Sequence, residues 1–80
     1  MQVKVRYFAQ LRELASKDEE DVVVEPNETP KSLYYSLSEK YHFPLGFEYI
    51  RVAINDEFAG NDSVLTNGDQ VVFIPPVAGG

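Results

Sequence analysis

Alternating side chains at both ends of the chain constrain its fold more than any other feature. Near the start, apolar residues at positions 3, 5 and 7 alternate with Lys4, Arg6 and Phe8, and near the end positions 71 and 73 alternate with Val72 and Ile74. A period of two is typical of a strand that buries one face in a core. If positions 5, 7, 71 and 73 face the core, then Phe8, Val72 and Ile74 point outward together. With Phe58 on a nearby hairpin, they are predicted to form a surface patch.

Two helical patterns lie between these strands. Residues 9–15 carry Leu11 and Leu14 at helical spacing. A longer helix begins at Thr29 and Pro30, a hydroxyl at the N-cap and a proline at the first helical position. Pro44 ends it, because a proline moves the preceding residue out of helical geometry.

Further strands are predicted at residues 22–24, 50–55 and 70–74, with Asp56 and Glu57 turning the chain toward Phe58. The acidic stretch Asp18 to Asp21 is interpreted as a solvated turn. The order βαβαβββ predicts an α+β fold, a mixed sheet of about five strands with the main helix across one face. We expect residues 1–74 to form one domain and residues 75–80 an extended, flexible C-terminal tail.

Composition narrows the possible partners and chemistry. The net charge of −6 over 80 residues disfavours nucleic acid and anionic membrane surfaces. It suits a basic protein partner, although solubility alone is an equally good explanation. The chain has no cysteine, which excludes disulfides and thiol nucleophiles. No apolar run reaches bilayer length and no leader is recognisable, so we expect a cytoplasmic protein.

The C-terminal tail is the one segment that suggests a chemical role. No phosphate loop, nucleophile elbow or metal-ligand cluster occurs in the sequence, and no metal site is expected. Pro75 and Pro76 prevent sheet pairing and favour an extended chain. Val77 follows, and the slim end, which consists of Ala78, Gly79 and Gly80, could enter a narrow slot in another protein. Six residues from Pro75 reach about 20 Å when extended.

Three segments and this ending together resemble a known family. The segments are Tyr7-Phe8-Ala9-Gln10-Leu11-Arg12-Glu13-Leu14, Val52-Ala53-Ile54-Asn55 and Leu65-Thr66-Asn67-Gly68-Asp69-Gln70-Val71, followed by the terminal Pro-Pro-Val-Ala-Gly-Gly. They are similar to the small, sulfur-carrying subunits of molybdopterin synthase, within the ubiquitin-like sulfur carriers. The resemblance covers essentially the whole chain.

The resemblance implies a β-grasp fold and a sulfur carrier that is not catalytic alone. An activating enzyme would use ATP and magnesium to adenylate the Gly80 carboxylate, and sulfur would replace AMP to give a thiocarboxylate. The carrier itself would bind no cofactor. Residues 75–79 would thread into the active site of a large subunit, in a heterotetramer of two small and two large chains, and sulfur would pass to cyclic pyranopterin monophosphate. Phe8, Phe58, Val72 and Ile74 would face the partner.

Three other functions remain open at this point. A ubiquitin-like modifier would use the same Gly80 activation to form isopeptide bonds with lysines of target proteins. A sulfur carrier for the thiazole of thiamine would also share the activation step, although the paired prolines favour the molybdopterin family. A β-grasp binding module would make no use of the chain end.

Overall fold

The computed structural model describes residues 1–60 and 63–76. Its elements are β1 (Gln2–Tyr7), α1 (Ala9–Ala15), β2 (Glu19–Val23), α2 (Pro30–Tyr41), a 3-10 turn (Phe47–Tyr49), β3 (Arg51–Ile54), β4 (Glu57–Phe58) and β5 (Gln70–Ile74). This is the predicted order of strands and helices. Neither helix has the length and apolar character that a membrane crossing requires, as far as the described residues go.

The strands form one mixed sheet in the order β2-β1-β5-β3-β4. The two terminal strands of the chain, β1 and β5, pair in parallel at the centre, with Tyr7 opposite Phe73. The remaining pairs are antiparallel. The alternating segments that the sequence places at the two ends of the chain are therefore neighbours in the middle of the sheet.

The core lies between the sheet and α2. Val5, Leu33, Tyr34 and Phe73 are almost completely buried there. The hydroxyl of Tyr34 donates a 2.8 Å hydrogen bond to the Leu45 carbonyl, so its polar end is satisfied. Burial raises the pKa of Tyr34 to about 12. These contacts fix α2 across the inner face of the sheet and leave the outer face uncovered by any helix in the described chain.

Local chemistry fixes where α2 begins and ends. Thr29 Oγ1 accepts a hydrogen bond from the Ser32 amide at 3.2 Å, and Ser32 Oγ accepts one from the Thr29 amide at 3.1 Å, which makes a capping box. The helix ends at His42, which adopts a left-handed conformation with φ 60°. The start at Thr29 and Pro30 is as predicted.

Two turns hold the end of the sheet next to β5. Asn55 and Asp56 have φ values of 53° and 71°, which suits a two-residue hairpin turn between β3 and β4. The buried carboxylate of Asp69 accepts hydrogen bonds from the side-chain amide of Asn55 at 3.0 Å and from the backbone N–H of Thr66 at 2.8 Å. Burial would raise the pKa of Asp69, but these bonds outweigh it and lower the pKa. Asp69 thus joins the turn before β5 to the β3–β4 turn.

The acidic stretch is not the solvated turn that the sequence suggests, since Glu19 to Asp21 belong to β2. Glu20 pairs with Val5 of β1 and its side chain turns inward. The hydroxyls of Tyr7 and Tyr41 each donate a 2.6 Å hydrogen bond to its carboxylate. These two donors compensate for the burial of the Glu20 carboxylate. Glu20 can therefore lie within β2, which begins at Glu19 and not at residue 22.

Candidate functional site

A row of side chains crosses the outer face of the sheet. Arg6 of β1 lies opposite Val72 of β5, Val72 opposite Ala53 of β3, and Ala53 opposite Phe58 of β4. Directly paired residues project from the same face of a sheet, so these four side chains share one surface. We call this surface, together with Phe8, Arg51 and Ile74, the docking face.

Two aromatic rings are the most exposed apolar groups of the docking face. Phe58 is 71% exposed and Phe8 is 40% exposed. Both side chains project outward, as the sequence analysis predicts. Single exposed apolar side chains are ordinary, but two aromatic rings on one face of a small sheet suggest a contact surface.

Arginines lie over both rings. The Arg51 guanidinium is 5.2 Å from the centroid of Phe58, and the Arg6 guanidinium is 5.8 Å from that of Phe8. Arg6 also lies 3.9 Å from the carboxylate of Glu19. Because β1 and β3 flank β5, the two arginines stand on either side of the central strand. The docking face thus combines apolar rings with positive charge.

The charge of this face differs from the charge of the chain. Three of the seven basic residues, Lys4, Arg6 and Arg51, project from the outer face, although the chain carries a net charge of −6. Glu19 and Asp21, which pair with Arg6 and Lys4, project from the same face at its β2 edge. Acidic groups of a partner could pair with Arg51, whereas Arg6 already lies beside Glu19. The expectation of a basic partner, which rests on net charge alone, stays a prediction.

Val72 does not have the exposure that the sequence predicts. It projects from the outer face but is only 8% exposed, and it lies apart from the core beneath α2. The reason is its place on the central strand, where Arg6 and Ala53 flank it on both sides. Val72 therefore supports the docking face from below and offers a partner little surface.

A cleft lies where β5 leaves the sheet. It has a volume of about 520 Å³, and its lining includes Phe8, Glu13, Ile74, Pro75 and Pro76. Ile74 is half-buried, Pro75 is buried and Pro76 is exposed. Pro75 thus packs with the domain, although the sequence analysis assigns it to the tail, and Pro76 is the last described residue.

The chain end itself lies outside the described residues. The predicted roles of Val77, Ala78, Gly79 and Gly80 concern this part of the chain. The described segment leads toward it directly from the docking face, since Ile74 and Pro76 share the cleft with Phe8. A partner that covers the docking face would therefore also meet the root of the C-terminal segment.

Sequence reasoning missed the carboxylate of Glu20 and its two tyrosines. Burial alone would raise the pKa of Glu20, but the hydroxyls of Tyr41 and Tyr7 and the charge of Lys17 outweigh it and lower the pKa. Burial also raises the pKa of Tyr7, and its bond to Glu20 adds to the increase. The cluster joins β1, β2 and α2. No local pattern reveals it, because Tyr7 lies 13 residues and Tyr41 lies 21 residues from Glu20.

The described residues contain no group of three acidic or histidine side chains placed to hold a metal ion. Among them, the docking face and its cleft are the surface best suited to binding a protein. It offers no nucleophile or general base arrangement, so chemistry at this face would have to involve a partner or the chain end.

Comparison with known proteins finds similarity over almost the whole chain. The model of the ThiS family matches residues 5–80. The molybdopterin synthase sulfur carrier subunit of Escherichia coli (strain K12) is 35% identical over 80 residues, which cover 98% of this chain and 99% of that protein.

Solved structures agree on the fold. The small archaeal modifier protein 1 from Methanosarcina acetivorans has a TM-score of 0.75 at 30% identity and covers 99% of this chain and 96% of that one. A chain from the complex of subunits 1 and 2 of the molybdopterin-converting factor of Helicobacter pylori 26695 has a TM-score of 0.68 at 26% identity, with full coverage of both chains. The fold is the predicted β-grasp, and the chain belongs to the ThiS family.

Proposed function

We propose that this chain is the sulfur carrier subunit of a molybdopterin synthase. The observation that carries the proposal is the similarity to the Escherichia coli sulfur carrier subunit, which extends over 98% of this chain and 99% of that protein. The chain is not catalytic alone in this proposal. It delivers sulfur to an active site that a larger subunit provides.

The geometry of the docking face supports this role. Phe8 and Phe58 provide exposed apolar surface, and the cleft at Ile74 and Pro76 places the root of the C-terminal segment beside it. A large subunit that binds this face would hold the end of the chain within reach of its own active site. Docking and delivery then use one continuous surface.

The reactive group in this proposal is the carboxyl of Gly80. The sequence contains no cysteine, so sulfur has to be carried on a group that is created for the purpose. Attack of the carboxylate on ATP gives an acyl-adenylate and pyrophosphate. A sulfide donor then forms the carbon–sulfur bond as AMP leaves. The resulting thiocarboxylate is a soft anionic nucleophile that needs no side chain.

Transfer returns the carrier to its starting state. The thiocarboxylate gives its sulfur to cyclic pyranopterin monophosphate, and an oxygen from water restores the Gly80 carboxylate. Val77, Ala78 and Gly79 allow this delivery, because small side chains let a narrow active site approach the main chain closely. Pro76 restricts the chain just before these residues and lowers the entropy lost when they dock.

Two partners follow from this cycle. The first is the large subunit, in an assembly of two small and two large chains; the Helicobacter pylori structure, a complex of subunits 1 and 2 of the molybdopterin-converting factor, supports such a pairing. The second is an activating enzyme, which uses the ATP and magnesium so that the carrier binds neither. Its need for ATP agrees with a cytoplasmic location.

Reconstitution with the large subunit tests this function. We expect the thiocarboxylated chain to convert cyclic pyranopterin monophosphate into the dithiolene product, and the unmodified chain to give none. A chain extended by one alanine beyond Gly80 is the matched control, because it keeps the fold but converts the Gly80 carboxyl into a peptide group. Equal product from the extended chain would contradict the proposal.

A second candidate function is protein modification. The structural similarity to the Methanosarcina acetivorans modifier protein favours it, at 30% identity. Both functions begin with adenylation of Gly80, so only the fate of the acyl group separates them. A modifier would be found joined to lysines of other proteins after purification under denaturing conditions, whereas the carrier would be recovered as free chain, part of it with sulfur in place of oxygen.

A further inference from the structure

The strand β2 forms an open edge of the sheet. It is the first strand in the order β2-β1-β5-β3-β4 and pairs only with β1 among the described residues. The Val24 amide donates to the Met1 carbonyl, and the Tyr7 amide donates to the Asp18 carbonyl. These bonds show which residues of this strand direct their backbone groups toward β1. By the alternation of an antiparallel ladder, the backbone groups of Glu19, Asp21 and Val23 point away from the sheet. They are available to another strand.

A groove runs beside this edge. It lies between β2 and α2 and has a volume of about 290 Å³. Val22, Val24, Leu33 and Leu37 give it apolar lining, and Lys40 lies among its polar lining residues. A strand added to the edge would direct every second side chain toward this groove.

We propose that the β2 edge and this groove form a second docking site, which takes an extended segment of alternating basic and apolar residues from another protein. The segment adds to β2 as a sixth strand. Backbone hydrogen bonds to Glu19, Asp21 and Val23 provide general affinity, and the side chains of the segment provide selectivity.

The charge of the edge selects a basic segment. Residues 18–28 contain six acidic residues and no basic residue. The cations that face this edge come from other elements: Arg6 lies 3.9 Å from Glu19, Lys4 pairs with Asp21 in register, and Lys17 lies 3.6 Å from Glu20. Arg6 and Lys4 stand on the β1 side, and Lys17 precedes β2. Lys40 of α2 lines the groove, whose acidic lining residues are Glu20, Asp21 and Glu28. The side that a new strand would meet is lined by carboxylates, with Val23, at 81% exposure, beyond them.

A second copy of this chain suits the edge poorly. Antiparallel pairing of two β2 strands about Asp21 would place Asp21 directly opposite the same residue of the other copy. Like charges that face each other across a strand pair are destabilising. The same carboxylates favour lysine or arginine at those positions of a different chain.

The site is separate from the docking face. Its groove opens on the helix side of the sheet, whereas Phe8 and Phe58 project from the opposite side. Glu19 and Asp21 do project from the outer face, in register with Arg6 and Lys4, but at the β2 edge, and Phe58 lies on β4 at the other edge. The chain can therefore be held at β2 by one protein while the docking face is covered by another. This inference goes beyond sulfur transfer and does not depend on it.

Titration of the isotope-labelled chain with a synthetic peptide tests the proposal. The probe is a capped peptide of alternating lysine and valine, about six residues long to match a typical strand. At about 1 mM peptide we expect the largest amide shifts in β2 and in the facing turns of α2. The matched control peptide has glutamate in place of lysine and is expected to give no saturable shift.

Two protein variants locate the binding. Val23→Pro removes only a backbone donor that points outward, a position where an edge strand tolerates proline, and should abolish binding. The double variant Glu19→Gln with Asp21→Asn keeps shape and removes charge, and should weaken binding about fivefold, the effect of two exposed ion pairs. Phe58→Ala on the docking face should leave peptide binding unchanged.

Four results would overturn the proposal. The first is equal binding of the lysine and glutamate peptides, and the second is a set of shifts centred on the docking face. The third is a shift of β2 resonances that depends on the concentration of the chain alone, which would identify a second copy as the occupant. Absence of any β2 shift at the highest peptide concentration has the same consequence.

Discussion

Replacement of Phe58 by alanine should separate docking from folding. The ring is 71% exposed in the free chain, so burial against a partner would remove most of its surface from water. Complete burial of a phenylalanine side chain contributes about 3 kcal/mol, and the exposed share of Phe58 therefore corresponds to about 2 kcal/mol. That free energy equals a loss of about 30-fold in affinity for the large subunit. Folding should change less, because the folded chain loses only the share of the ring that is already buried, about 1 kcal/mol with its contact to Arg51 included.

Calorimetric titration with the large subunit and thermal unfolding of the free chain measure the two effects. The expected result is a Kd raised about 30-fold with a thermal midpoint lowered by less than about 8 °C. Tyr35→Ala is the matched control, since Tyr35 is also an exposed aromatic residue, at 47%, but lies on α2. The reasoning is refuted if Phe58→Ala binds like the unaltered chain, or if Tyr35→Ala loses as much affinity.

Three further predictions follow. Arg51→Glu should slow association with the large subunit about tenfold at low ionic strength, and stopped-flow measurements should find the difference smaller at high salt; no salt dependence would contradict a charged contact. Deletion of Gly80 should abolish dithiolene formation, because the terminal carboxyl would lie one residue short of the partner's active site, and it should leave the thermal midpoint unchanged. Retained synthesis would argue against a terminal reactive group. Glu20→Gln should lower the free energy of unfolding by about 1–2 kcal/mol at neutral pH. Since the folded pKa of Glu20 is lowered from 4.5, its ionised form contributes stability above that value and loses it as the pH falls through the folded pKa, so denaturant titrations should show the difference shrinking in acid.

Local sequence signals are enough to predict most elements of this fold. The capping residues Thr29 and Pro30 place the start of α2, and the alternation in β5 gives its bounds, because both depend on neighbouring residues only. The error at β2 has a different origin. Glu20 can lie in a strand because Tyr7 and Tyr41 satisfy its carboxylate, and no local pattern shows that these three residues meet.

The same distinction applies to the docking face. Alternation predicts the direction of Phe8 and Ile74, because direction depends on parity within one segment. Exposure depends on strand order as well. Val72 is covered because β5 is the central strand, and the two arginines meet the rings because β1 and β3 flank it. The burial of Pro75 likewise depends on where β5 ends, beside Phe8, and the proline itself does not predict it.

Fragmentation mass spectrometry of the intact chain, after incubation with the activating enzyme, ATP and a sulfide donor, tests the central claim most directly. We expect the mass of the whole chain to rise by the difference between sulfur and oxygen, and C-terminal fragments to assign the whole increase to Gly80. An unchanged chain, or an increase that fragments assign to any other residue, would contradict the claim that this protein carries sulfur on its terminal carboxyl.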